Sequence, residues 1–138
     1  MIAYLDSSVV LRKIFNEPEP FKNLAQFDSI VSSALLKTEC MRVFSRLRLS
    51  GVVSQDQLLN LQGGLHILID SLDVIFLTQE ILDRAGEDFP TPLKTLDAIH
   101  YATFLIYQKS ILDSVTLVTH DLALARTAKA MGMAFAGV

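Results

Sequence analysis

The chain has 138 residues, 51% of them hydrophobic and 20% charged, with a single cysteine and a formal net charge of −3. That size and composition suit one domain over residues 1–138 with a real core, and exclude a disordered chain, which needs low hydrophobicity and high net charge. One thiol, Cys40, excludes an internal disulfide and cannot build a zinc site alone, while the mildly negative balance speaks against a protein that coats nucleic acid by bulk electrostatics.

Residues 2–5 are short, apolar and followed by Asp6, Ser7 and Ser8, which predicts a buried strand running into a helix cap. A first helix is expected over residues 9–15, stopped by Asn16-Glu17-Pro18-Glu19-Pro20. A second helix over 21–27 and a short strand over 29–31 follow. Ser33 is placed to cap a long helix over 34–49, with Gly51 as its terminator. Leu36, Cys40, Val43, Phe44 and Leu47 fall on one stripe of that helix. Ser54 is placed to cap a helix over 55–72, weakened at Gly63-Gly64. A strand over 73–77 leads to Thr78, which starts a helix reaching about residue 88. After Pro90-Thr91-Pro92, Thr95 is expected to cap a strongly apolar helix over 96–107. Residues 115–119 read as a strand, 121–131 as a helix ended by Gly132, and 133–138 as a final strand. Strands alternating with helices predict an α/β fold with a mostly parallel sheet. No run of 18 apolar residues offers a membrane span, and the opening MIAYLDSS lacks the basic region of a signal peptide. The expected location is cytoplasmic.

Four acids stand out by position. Asp6 and Asp121 each follow a predicted strand directly. In an open parallel sheet the carboxyl ends of the strands lie along one edge, where ligands bind. The same two positions suit ordinary helix N-caps, a role aspartate fills well. Asp97 lies in the first turn of the apolar helix, where it either meets the helix dipole or, if buried, needs a partner or a cation. His100 follows it one turn later; lone helical histidines are usually structural, and a direct role in the site is the lesser reading. Glu39 sits mid-helix in LLKTEC, where no cap explains it; an i,i+3 pair with Arg42 is the alternative to a site role. Four carboxylates without histidine or cysteine companions favour hard, oxygen-preferring ions, magnesium or manganese. Such ions can activate water and stabilise the leaving oxygen of a phosphodiester. Divalent cations held there would also bring the chain's charge to neutral or slightly positive.

Lys37, Arg42, Arg46 and Arg48 gather around Glu39. Arg42 and Arg46, at i+3 and i+7, are placed either to contact phosphates beside Glu39 or to solvate a helix face. Two other chemistries fail on motif. Phosphatases with Asp-x-Asp after the first strand are excluded by Ser8 at the third position, and no GxxxxGK[ST] loop for a nucleoside triphosphate occurs.

Taken in order, YLDSS (residues 4–8), LLKTEC (35–40), KTLDAIHYAT (94–103) and VTHD (118–121) followed by LALARTAKAMG resemble the PIN-domain nucleases, particularly the VapC-type toxins of toxin–antitoxin pairs. LDAIHYAT is the most specific piece, and the resemblance runs through essentially the whole chain. It implies a three-layer α/β/α sandwich and a magnesium- or manganese-dependent endoribonuclease whose acidic site is Asp6, Glu39, Asp97 and Asp121, supported by Ser7 and Thr119. It also implies an RNA substrate and a cognate antitoxin; the many apolar helices suggest a homodimer. Phe104 departs from the family, whose members often carry a smaller residue there. A housekeeping nuclease of the same family, or a catalytically silent binding module on the same fold, is the competing reading.

Overall fold

The computed structural model describes residues 1–18 and 23–138. Five strands, β1 (Ile2–Leu5), β2 (Ser29–Ser33), β3 (Asp73–Ile75), β4 (Val115–Val118) and β5 (Phe135–Ala136), form one sheet in the order β3-β2-β1-β4-β5, every pair parallel. Between and after them run α1 (Ser7–Ile14), α2 (Leu35–Leu49), α3 (Gln55–Asp70), α4 (Gln79–Ala85), α5 (Thr95–Ser110) and α6 (Leu122–Ala130). The α/β expectation with a central parallel sheet is borne out.

Alternation along the central strands sends side chains to both faces. Ala3 and Leu5 of β1 and Val118 of β4 face a core built with Val9 and Val10 of α1, Leu36, Cys40 and Phe44 of α2, and Leu58 and Leu65 of α3. Tyr4 of β1, Val31 of β2, and Val115 and Leu117 of β4 face the opposite core, with Tyr101, Phe104 and Leu105 of α5 and Leu124 and Ala128 of α6. The result is three layers, with α1, α2 and α3 on one face of the sheet and α5 and α6 on the other. Phe104, the departure from the family pattern, is fully buried and packs at 5.8 Å from the Tyr4 ring and 5.6 Å from the Tyr101 ring. Truncating a buried aromatic of this kind costs about 3–5 kcal/mol.

Several boundaries differ from expectation, each for a local reason. Helix α1 starts at Ser7 rather than residue 9, because Asp6 accepts the Ser8 N–H and caps it directly. The predicted helix over 21–27 falls partly outside the described residues; what is described of it is a 3₁₀ turn, Asn23–Gln26. Strand β2 runs on to Ser33, so α2 begins at Leu35; Ser33 Oγ still accepts the Leu35 N–H at 3.1 Å. Helix α3 crosses Gly63-Gly64 unbroken, anchored by a reciprocal Ser54–Gln57 capping box and by buried Leu58 and Leu65. Strand β3 ends at Ile75, leaving Phe76 and Leu77 exposed, and α4 stops at Ala85. Helix α5 is longer than predicted at its C-terminal end, and its cap position is Lys94, with no side-chain cap bond; Thr95 is already helical. The final strand shrinks to Phe135–Ala136. Gly51 does terminate α2: with φ at +78°, it lets its own N–H reach Arg48 O and the Val52 N–H reach Leu47 O, closing the helix end.

Candidate active site

Strand order reverses at β1: the chain moves outward through β2 and β3, then returns to place β4 on the other side of β1. The carboxyl ends of β1 and β4 therefore flank the switch point, where open parallel sheets leave a crevice. Leu5 pairs in register with Val118, so the two strands end level. Asp6 leaves β1 with its N–H on Val118 O at 3.4 Å, and Thr119, His120 and Asp121 leave β4 beside it.

The two loops are laced together by hydroxyls. Ser8 Oγ donates to Asp6 Oδ1 at 2.8 Å and accepts the His120 N–H at 2.9 Å. Thr119 Oγ1 accepts the Asp121 N–H at 2.9 Å and lies 3.5 Å from Ser8 Oγ. Ser8, rather than Ser7, thus holds the Asp6 carboxylate; Ser7 lines the groove next door. A second support comes from the C-terminal strand, through contacts that no local sequence signal marks. Thr119 N–H donates to Ala136 O at 2.9 Å, His120 Nδ1 faces Gly137 O, and Gly137 has φ at +102° with the Thr119 carbonyl 2.6 Å from where a Cβ would be. Only glycine lets β5 lie that close to the loop bearing Asp121.

Asp121 caps α6, taking the Ala123 and Leu124 N–H groups on Oδ1 at 2.8 and 3.0 Å. Asp97, from the first turn of α5, shares a cleft of about 620 Å³ with Asp121, rimmed by Lys94, His120 and the apolar Pro92, Leu93 and Leu122. An adjoining groove of about 340 Å³, on the other side of the α5 start, holds Glu39 with Ser7, Arg42, Arg46 and Leu96. Lys37 and Arg48 do not line it. Glu39 is paired with His100 Nε2 rather than with Arg42. His100 is itself buried and meets the Tyr4 hydroxyl through Nδ1 at 3.0 Å.

Electrostatics tie the four acids together. Burial pushes the Asp97 carboxyl up, and the charges of Asp121, Asp6 and Glu39 push it further, to about 6, with His100 opposing. Asp6, 3% exposed, is raised chiefly by burial, against His100 and its own hydrogen bonds to Ser8. The charges of Asp121, Asp6 and Glu39 are thus all felt at Asp97, and a cation there would relieve that repulsion. The donors are all oxygens, and among the described residues no three His, Cys, Asp or Glu side chains form a ready-made cage. An open, oxygen-only set suits magnesium or manganese, which keep several waters and use few carboxylates, better than tetrahedral zinc.

A sheet of this order carrying acids on its switch point is the arrangement of a PIN-like α/β protein, and the chain belongs to the PIN domain family, whose family model matches residues 3–130. It is 35% identical over 134 residues to ribonuclease VapC46 of Mycobacterium tuberculosis, covering 95% of this chain and 93% of that protein. Identity to ribonuclease VapC47 of the same species is 26%, over 86% of this chain and 83% of the relative. Among solved structures, a chain of the VapBC2 complex of Rickettsia felis, bound to a promoter DNA fragment, superposes with a TM-score of 0.69 at 18% identity, covering 99% of this chain and 98% of that one. VapBC-1 from nontypeable Haemophilus influenzae gives 0.62 at 16% identity, over 99% and 97%. These structural likenesses bear on the fold.

Proposed function

We propose that residues 1–138 form a single metal-dependent endoribonuclease domain that hydrolyses RNA phosphodiester bonds and acts as the toxin of a toxin–antitoxin pair. The chemistry is supported by Asp6 and Asp121 standing at the strand-order switch and by Asp97, which shares a cleft with Asp121 and is raised to about 6 by burial and then by the charges of Asp121, Asp6 and Glu39. That a relative named as a VapC ribonuclease aligns over nearly the whole chain supports the assignment to RNA and to the toxin class.

Asp6, Asp97, Asp121 and Glu39 are the residues that would hold magnesium or manganese. When bound, the cation supplies charge neutralisation for the phosphate and acidity for the attacking water. Ser8 and Thr119 fix the loops from which Asp6 and Asp121 project. Arg42 and Arg46, beside Glu39 in the adjoining groove, are placed to pair with flanking phosphates. Water attacks phosphorus, one P–O bond breaks, and the new ends are a phosphate and a hydroxyl. A carboxylate oxygen not engaged with the cation would take the proton that water releases.

An active ribonuclease needs restraint, and we assign that to an antitoxin whose basic side chain enters the acidic cleft and competes with the cation. Solved relatives of this fold are described as complexes of the VapBC kind. The working unit is proposed to be a homodimer in the cytoplasm; no helix among the described residues is long and apolar enough to cross a membrane. The test is incubation with a pool of cellular RNAs, with and without magnesium, followed by mapping of the ends. Discrete, magnesium-dependent cuts are expected; intact RNA under both conditions refutes the nuclease reading. Co-expression with the product of an adjacent gene tests the toxin reading separately.

A further inference from the structure

The acids on α2 and α5 are held to opposite faces of the sheet by separate cores, so something must fix Glu39 against Asp97. The only charged side chain of α2 drawn inward is Glu39, 13% exposed, and its recorded partner is His100 of α5, 1% exposed. His100 lies one helical turn beyond Asp97 on the same helix. Aromatic packing backs the imidazole: its ring meets the Tyr4 ring edge-on at 6.1 Å and 78°, and Phe104 in turn packs on Tyr4 at 5.8 Å. Tyr4, fully buried in β1, places its hydroxyl 3.0 Å from Nδ1.

Proton bookkeeping then gives a direction. A carboxylate oxygen only accepts, so Nε2 is the donor toward Glu39; with a single ring proton this leaves Nδ1 to accept from the Tyr4 hydroxyl. Tyr4 O–H to Nδ1, and Nε2–H to Glu39 Oε1, satisfies every member of the chain with one proton each. The reverse tautomer would set the bare Nε2 against the carboxylate, lone pair to lone pair. The bond occupies one oxygen of Glu39 and leaves the other to the groove shared with Ser7, Arg42 and Arg46.

We propose that His100 is the positioning residue for Glu39: with its ring held by Tyr4, it ties α2 to α5 across the sheet's edge and so sets the spacing of Glu39 from Asp97 that cation binding requires. This rests on the reading of the acids as a cation site. Partners of this kind, one bond behind a ligand, orient it and tune its basicity.

The test has a metal-free arm and a cation arm. In the metal-free protein, nitrogen-15 shifts of the His100 ring are expected to show Nε2 protonated toward Glu39; a bare Nε2 overturns the proposal. In the cation arm, manganese affinity is read by electron paramagnetic resonance on the parent, His100→Leu, His100→Gln, Glu39→Gln and the His100→Leu/Glu39→Gln pair, each first checked for a cooperative melt. His100→Leu should weaken manganese binding about 10- to 100-fold, His100→Gln, whose amide N–H can replace Nε2, only about threefold, and His100→Leu should cost nothing further in the Glu39→Gln background. Equal losses for Leu and Gln, or an undiminished effect of His100→Leu without the Glu39 charge, mean that the ring only fills space and overturn the positioning role. A parent protein that binds no manganese is recognisable before any variant is compared; it overturns the cation reading and this inference with it.

Discussion

Replacing Asp97 with asparagine should stabilise the metal-free protein while removing its response to cations. Unfolded, an aspartate titrates near 3.9; in the native site, burial and then Asp121, Asp6 and Glu39 raise Asp97 to about 6. The native state therefore holds this proton more tightly than the unfolded one. Below about pH 4 both states are protonated and the residue costs nothing. Between about pH 4 and 6 the unfolded chain loses its proton first, so native stability falls as pH rises, and above 6 the full penalty is present. A gap of about two pH units corresponds to about 3 kcal/mol. Asp97 is only half-buried and water screens its neighbours, which brings the working figure to about 1–2 kcal/mol. Asparagine keeps the shape and discards the charge, so at pH 8 in chelator the variant should melt about 3–6 °C above the parent, and at pH 4 the two should melt together. Saturating magnesium, at a hundredfold excess over its dissociation constant, should add about 2.7 kcal/mol to the parent and little to the variant, reversing their order. Calorimetric melts at constant ionic strength decide it. A variant that melts below the parent at pH 8, or a difference that does not change with pH, refutes the picture of four mutually repelling acids.

Three further outcomes follow from the same geometry. Asp6→Asn should retain the fold and lose metal-dependent cleavage of RNA; near-parental turnover in a discontinuous cleavage assay would exclude Asp6 as a ligand. Arg42→Ala combined with Arg46→Ala should raise KM far more than it lowers kcat and flatten the salt dependence of single-stranded RNA binding by about 1.4 in log–log slope, two phosphate contacts at about 0.7 each; an unchanged slope would return both arginines to a solvated helix face. Gly137→Ala should destabilise the protein by about 1–3 kcal/mol, because its φ of +102° and the Thr119 carbonyl at 2.6 Å both oppose a Cβ. Its cleavage activity should fall more than that of an equally destabilised core variant such as Leu65→Ala, since the displaced loop carries Asp121.

The fold was legible where one physical signal dominated. The apolar runs of β1 and β4, the stripe through Leu36, Cys40 and Phe44, and the capping serine and threonine at Ser54 and Thr78 each carry their own local explanation, and each element is present, some with shifted ends. Legibility failed where long-range contacts set the outcome. Strand β2 continues to Ser33 because it has Leu5 and Ile75 beside it in the sheet, which no local pattern announces. In the site, the acids were visible as types at positions, but their supports were not. Ser8 lies two residues from Asp6 and was open to recognition as a hydroxyl inside the first turn of a capped helix. His120 and Gly137 meet only because β5 pairs with β4. Glu39 was expected to choose between a site role and Arg42, and it chose a histidine 61 positions away, a contact that only the packing of two layers creates.

Capping a helix does not bar Asp6 or Asp121 from a ligand's role, because a cap need not use every lone pair of a carboxylate. A parallel strand delivers its carboxyl end to the crevice, and the helix that follows begins there, so a capping aspartate necessarily stands at the crevice wall. Asp121 gives both backbone bonds to Oδ1, which leaves Oδ2 without a backbone partner. Asp6 receives the Ser8 N–H on one oxygen and the Ser8 hydroxyl on the other, each oxygen keeping a lone pair. A cap contributes about 1 kcal/mol, which offsets part of what crowding these carboxylates costs the metal-free chain. The same logic selects the test substitution. Asparagine caps a helix as well as aspartate does, so an Asn at position 121 keeps both bonds on its oxygen, and one at position 6 keeps the Ser8 N–H cap while giving up the bond from the Ser8 hydroxyl, whereas alanine would remove cap and charge together and leave a loss of activity ambiguous between a frayed helix and a missing ligand.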